Sequence, residues 1–278
     1  MPNSFMKIAL TSMDTAWENK SVNQEKCAEL IKRASESGAR LILFPEMTLT
    51  GFTMDVQGCG EIEGRCQYCS TVAFFLEQSE RYGMAVGFGY IHQEEGKGTN
   101  HFVVVDKGKI LADYTKIHPF SYGGEDRVYI PGNQLVSAEL DGIRMGLFIC
   151  YDLRFPEIFQ AASEECEVLA VIANWPRERI HHWHSLLPAR AIENQSVVLG
   201  VNRRGWGNGI EYVDSSEVYD CEGNRIPCQR ITTEAGDDCL LCEVDVRRPW
   251  QLRREFPVKR DRREAFYLAD PLQDLQVI

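Results

Sequence analysis

Short, wholly apolar runs alternate along the chain with stretches in which apolar residues recur every three or four positions. Residues 5–13 read as an opening strand, and Cys27, Leu30, Ile31 and Ala34 follow with helical spacing. Ser21 and Gln24 fit a capping box at the start of that helix, and Gly38 would end it. Leu41 to Phe44 is a fully apolar strand stopped by Pro45. Residues 51–69, rich in Gly and Cys, predict a loop, and a helix over about 70–82 ends at Gly83. The strand Met84 to Ile91 follows, then two strands across residues 101–114 joined at Asp106-Lys107-Gly108. Residues 117–133 hold several Gly and Pro and read as a loop.

The stretch Gly142 to Glu157 organises the rest. Its first half, Ile143 to Ile149, is a buried-strand pattern, and Pro156 sits where the first turn of a helix tolerates proline. Cys150 thus falls at a sharp strand-to-helix break, the geometry of a nucleophile elbow. A buried, inert core thiol is the competing reading. A strand at Val168 to Ile172, a helix over about 183–194 and a strand at Val197 to Asn202 follow. The remainder to Val246 reads mainly as strands, with a turn at residues 221–224. This order predicts layered α/β packing in two halves of similar order, one domain over residues 1–278. A tail from about residue 263 to 278 would pack on a partner subunit.

Composition narrows the function classes. The chain has 278 residues, 44% apolar and 26% charged, enough for a sizeable core. A formal charge of −11 with no basic stripe argues against nucleic acid and requires a locally positive pocket for any anionic substrate. No run is long and apolar enough for a membrane span or a signal peptide, so the expected setting is cytoplasmic. Ten cysteines raise a disulfide framework, but a chain of this size predicts reduced thiols. Cys66 with Cys69 and Cys239 with Cys242 look like zinc half-sites. The second pair lies in a strand pattern, where residues three apart face opposite sides, so no metal is expected.

Three polar residues share the placement of Cys150 beside a strand end or Gly-rich turn: Glu46, Lys116 and Glu125. Singly, each fits a surface charge. Together they supply acyl transfer, because a carboxylate can take the thiol proton while a lysine lowers the thiol pKa and holds an oxyanion. The Tyr151 N–H at the turn would be a second oxyanion donor, and no cofactor is needed.

FPEMTLTGFTM, YTKIHPF with a following GGE, GLFICYDLRFPE, and NWP with RAIENQ occur in this order and closely resemble the carbon–nitrogen hydrolase (nitrilase) superfamily over about residues 6–260. The resemblance implies a four-layer α-β-β-α sandwich, association into a homodimer or larger homo-oligomer, and a catalytic Glu–Lys–Cys triad at Glu46, Lys116 and Cys150. It places the family's additional glutamate at Glu125. Tyr151-Asp152 after the cysteine, where true nitrilases carry tryptophan-glutamate, looks like the amidase branches. The FPEM and TGF segment, the Gly124-Glu125 pair and the string from NWP to RAIENQ most resemble ω-amidases, which hydrolyse 2-oxo-dicarboxylic acid monoamides. Pro119 departs from the common leucine, and the loop of residues 55–69 with its three cysteines has no counterpart.

The expected activity is therefore hydrolysis of a small carboxylate-bearing amide through a cysteine thioester. Another amidase or an N-carbamoyl amino acid hydrolase of the superfamily is the alternative, and a thiol-rich metal-binding or interaction protein the alternative of another class. An arginine four residues past the nucleophile binds the substrate carboxylate in related carbamoyl-amino-acid hydrolases, so the resemblance implies that role for Arg154, whose planar fork suits it; the alternative is that it braces the turn against Asp152 or Glu157. Phe52 and Trp175 line the pocket or fill the core, and Tyr122 and Trp206 are specificity-loop candidates. His181, His182 and His184 resemble a metal cluster, but without an accompanying carboxylate motif they fit packing at a helix start. No histidine is placed like the partner of a papain-like cysteine.

Overall fold

The computed structural model describes residues 4–62 and 71–268. The first half contains β1 (Phe5–Ser12), α1 (Lys20–Glu36), β2 (Leu41–Leu43), α2 (Val56–Cys59), α3 (Thr71–Tyr82), β3 (Ala85–Glu94), β4 (Lys97–Asp106), β5 (Lys109–Thr115) and α4 (Glu125–Val128). The second holds β6 (Ser137–Leu140), β7 (Ile143–Ile149), α5 (Pro156–Ala162), β8 (Val168–Ala173), α6 (Ile180–Asn194) and β9 (Val197–Asn202). A short ribbon, β10 (Gly205–Gly207) and β11 (Ile210–Tyr212), precedes β12 (Glu217–Tyr219), β13 (Cys228–Thr232), β14 (Asp238–Asp245), α7 (Arg248–Glu255) and α8 (Glu264–Leu268).

Two sheets form, in the orders β13-β14-β1-β2-β3-β4-β5 and β12-β9-β8-β7-β6. At the heart of each lie three parallel neighbours, β1-β2-β3 and β7-β8-β9. Alternation along β2 shows why its run is apolar throughout. Leu41 and Leu43 face the second sheet, while Ile42 faces outward. Leu10, Leu43 and Val104 meet Leu147, Ile149 and Val201 between the sheets. On the outer faces, Cys27, Leu30 and Phe75 of α1 and α3 pack on the first sheet, and Phe159, Trp183 and Leu187 of α5 and α6 on the second. Phe75 stacks on Phe88 with ring centroids 4.1 Å apart, and burying a side chain of this size stabilises by about 1.5–3 kcal/mol. The result is the expected α-β-β-α sandwich. None of its described helices is long and apolar enough to cross a membrane.

Local expectations need two corrections. Asn19, not Ser21, caps α1: its Oδ1 accepts from the Val22 N–H, and Ser21 donates its hydroxyl to that same oxygen. The thiols are not all reduced, because Cys228 and Cys242 form a disulfide. These residues are direct partners across β13 and β14 with Cα atoms 4.5 Å apart, close enough to bridge without backbone movement. Cys239 and Cys242 do face opposite sides of β14, toward the outer and inner cores. Cys66 and Cys69, much of the Cys-rich loop and residues 269–278 of the tail lie outside the described residues.

Candidate active site

Strand ends from both sheets meet at one mouth. Glu46 lies just past β2 and Asn174 just past β8, Cys150 directly follows β7, Lys116 follows β5, and Glu125 opens α4. Cys150 has a φ of +47°, a conformation that costs a non-glycine residue about 1–3 kcal/mol. A carboxylate holds this elbow. Asp152 Oδ2 accepts from the Ile149 N–H at 3.0 Å and the Tyr114 hydroxyl at 2.8 Å. Asp152 Oδ1 meets the backbone N–H and Nδ1 of His118, whose ring stacks on Phe155.

Behind the thiol lies a buried acid–lysine cluster. Lys116 Nζ donates to Glu46 Oε1 at 2.9 Å and to both Glu125 oxygens at 3.1 and 2.8 Å. Asn100, within β4, gives Nδ2 to Glu46 at 2.7 Å and to Glu125 at 3.1 Å. The other Glu46 oxygen accepts from the Asn174 N–H at 3.0 Å and Nδ2 at 3.3 Å. All these residues are at most 5% exposed. Burial works against charge on Lys116, but Glu125 and Glu46 override it and hold its pKa well above the ordinary value. Burial and Glu46 push the Cys150 thiol well up against the pull of Lys116. The resting sulfur is therefore a neutral thiol that needs a base.

The pocket over Cys150 has a volume of about 150 Å³, which suits a small metabolite rather than a polymer. Phe52, Trp175, Tyr151 and Arg154 line it, as does Lys116, which lies 5.4 Å from the Phe52 ring centroid. The Arg154 guanidinium sits 4.9 Å from the Trp175 ring centroid and 5.9 Å from that of Tyr151, with His182 Nδ1 at 3.1 Å. Among the described residues Arg154 has no carboxylate partner, and Tyr114, His118 and the Ile149 N–H occupy Asp152 instead. The turn-bracing alternative for Arg154 is thus not what the structure contains.

Two aromatic candidates point elsewhere. Tyr122 is 87% exposed and outside the pocket; the turn at residues 121–123, closed by Gly124 at φ +79°, leaves Phe120 in the lining instead. Trp206 pairs with Glu211 on the ribbon face opposite Ile210 and Tyr212, which line the pocket. The sequence reading missed Asn100, Asn174, Arg179 and Tyr212. Asn174 stands in the NWP string quoted above, but its hydrogen bonds to Glu46 span 128 positions. His181 packs against His182 with ring centroids 4.0 Å apart, His182 also meets Arg154, and His184 pairs with Glu217 at 3.0 Å. Among the described residues, the one group of three metal-binding side chains close enough to share an ion is Glu18, Asp55 and Cys59. Glu18 already accepts from the Thr53 hydroxyl, and Asp55 caps α2 through the Gly58 N–H.

Comparison with known proteins identifies the family. The carbon-nitrogen hydrolase family model matches residues 7–248. A 2-oxoglutaramate amidase of Bacillus subtilis is 29% identical over 94% of this chain and 98% of its own. The omega-amidase YafV of Escherichia coli K12 is 29% identical over 92% and 96%. The CN-hydrolase superfamily protein XC1258 of Xanthomonas campestris, solved with an arsenic adduct in its active site, superposes with a TM-score of 0.81 at 25% identity, covering 93% of this chain and 97% of that one. With the family match running from β1 to the start of α7 and the same sandwich recurring in a solved relative, the chain belongs to the carbon-nitrogen hydrolases, enzymes acting on amides, and not to the metal-binding or interaction proteins that its thiol content had left open.

Proposed function

We propose that the protein is an ω-amidase-like hydrolase that cleaves a small carboxylate-bearing amide, such as 2-oxoglutaramate or 2-oxosuccinamate, to the acid and ammonia. The observation that carries this reading is an arginine with no carboxylate partner among the described residues, set against the Trp175 and Tyr151 rings in the pocket beside the elbow cysteine. A substrate carboxylate would accept from both arms of Arg154, leaving the amide carbon over Cys150.

Glu46 takes the Cys150 proton, and the thiolate attacks the amide carbon. Lys116 and the Tyr151 N–H hold the oxyanion, and Glu125 and Asn100 hold Lys116 and Glu46 in place. Glu46 gives its proton to the departing ammonia, leaving a thioester. Its carboxylate then deprotonates water, which attacks the thioester; the acid leaves, and the proton returns through Glu46 to the sulfur. General acid–base action contributes roughly 10²–10⁴-fold, and an oxyanion donor roughly 10²–10³-fold.

The test is an ammonia-release screen over 2-oxoglutaramate, 2-oxosuccinamate, glutamine, asparagine, carbamoyl amino acids and simple nitriles. The 2-oxo amides should turn over fastest, and Cys150→Ala should abolish turnover. Release of carbon dioxide with ammonia would instead establish a carbamoyl hydrolase, and turnover in a clean Cys150→Ala preparation would refute the mechanism. Exposed Ile192, Trp250, Phe256, Phe266 and Tyr267 on α6, α8 and the segment around α7 support assembly as a homo-oligomer. Light scattering that finds only monomer would reject it.

A further inference from the structure

Arg154 accounts for one end of the proposed substrate and Cys150 for the other, which leaves Tyr212 and Arg179 in the pocket wall without a role. Tyr212 ends β11, and period-two alternation puts it with Ile210 on the pocket face, while Glu211 turns outward to pair with Arg177 at 2.6 Å. The residue is only 4% exposed, yet its hydroxyl makes no hydrogen bond among the described residues. The hydroxyl is not sealed within protein, and an unpaired donor on a residue that lines a ligand pocket points to the ligand. The ring is fixed from behind by the Arg203 guanidinium, 4.7 Å from its centroid, itself held by the Thr15 and Trp206 carbonyls.

Burial pushes the Tyr212 pKa up to about 12; Arg203 and Arg179 pull it down, and Cys150 and Glu46 add to the rise. The hydroxyl is thus protonated at neutral pH and acts as a donor within the electrostatic reach of the nucleophile. The Arg179 guanidinium lies 5.5 Å from the Phe120 ring centroid, and its ion-pair partner among the described residues is the exposed Glu178 at 3.5 Å.

We infer that Tyr212 is a specificity-determining residue whose hydroxyl donates to the oxo oxygen beside the substrate carboxylate, while Arg179 excludes a cationic amino group at that carbon. The inference rests on the ω-amidase-like reading and deepens it. An oxo oxygen satisfies the phenol, a methylene leaves it unpaired, and an ammonium would meet two guanidinium groups in a desolvated space.

The experiment measures kcat/KM for 2-oxoglutaramate, glutaramate and glutamine in the wild type, Tyr212→Phe and Arg179→Gln, with thermal melting as the check on folding. Tyr212→Phe keeps the ring under Arg203. It should cut the wild-type preference for 2-oxoglutaramate over glutaramate about five- to tenfold, the worth of one neutral hydrogen bond. Arg179→Gln should cut the preference for 2-oxoglutaramate over glutamine about tenfold. An unchanged oxo preference in Tyr212→Phe, or an equal loss on both amides, overturns the role of Tyr212, and an unchanged glutamine preference overturns that of Arg179. Should Tyr212→Phe not fold, a wild type without preference for the oxo amide still refutes the inference while leaving the ω-amidase-like reading intact. A wild type inactive on all three carboxylate amides removes that reading itself.

Discussion

Replacing Glu125 with glutamine changes little in shape, yet the structure predicts a large effect. Oε1 accepts from Lys116 Nζ at 3.1 Å and Asn100 Nδ2 at 3.1 Å, and Oε2 from Lys116 Nζ at 2.8 Å and the Phe120 N–H at 2.5 Å. Each oxygen faces two donors, so either orientation of a glutamine amide sets its NH₂ against a lysine ammonium and a second N–H. Burial raises the Glu125 pKa, Lys116 opposes that, and Glu46 adds to it. The convergence of donors nevertheless calls for the ionised form. Breaking a buried pair by removing one partner costs about 3–5 kcal/mol. Lys116 keeps Glu46, so the lower end applies. At about 3 kcal/mol the melting temperature should fall by roughly 6–12 °C. Displacement of Lys116 should also lower kcat by roughly 10²–10³-fold. Calorimetry and ammonia-release kinetics on Glu125→Gln measure both. A variant melting within about 1 °C of the wild type with unchanged kcat would refute the idea that Glu125, through its two hydrogen bonds from Lys116, holds the lysine in place.

Because burial and Glu46 hold the Cys150 thiol protonated, alkylation by iodoacetamide should climb with pH through 9 without a plateau. Glu46→Gln removes a negative charge, so its alkylation curve should move to lower pH even as ammonia release collapses; movement the other way contradicts the electrostatics. Arg154→Lys should lower kcat/KM for carboxylate-bearing amides at least tenfold and spare neutral amides, because a point charge cannot reproduce the planar fork; unchanged kcat/KM on the acidic amides removes its assigned role. Cys228→Ser should leave kcat alone and cost up to about 3 kcal/mol of stability, the loop-closure value for a 14-residue separation. Peptide mapping that finds both thiols free in the native protein would contradict the bridge.

Local features of the sequence were enough to place most of the framework. The strand runs at residues 41–44 and 143–149 and the break at Cys150 are set by adjacent residues, and the structure keeps all three. The meeting of Glu46, Lys116 and Glu125 was expected from chemistry and motif order. What stayed hidden depends on register. Asn100 reads as one polar residue in a β pattern, yet it bridges acids 54 and 25 positions away. Cys228 meets Cys242 only because of how β13 is aligned on β14. The α1 cap moved from Ser21 to Asn19 because both are good capping residues within two positions of each other. Tyr122 was misplaced for a further reason: which aromatic of a Gly-rich loop faces inward depends on its dihedral angles, here the left-handed Gly124.

Asn174 follows a strand of one sheet, and the carboxylate it holds follows a strand of the other. Those contacts clasp the two sheets across the sandwich, so a small slip of one sheet over its neighbour would pull the base from its support while every strand remained hydrogen-bonded within its own layer. In mild denaturant or under pressure, ammonia release should therefore fail before circular dichroism registers any loss of strands, making catalysis a more sensitive gauge of interlayer alignment than spectroscopy of the backbone.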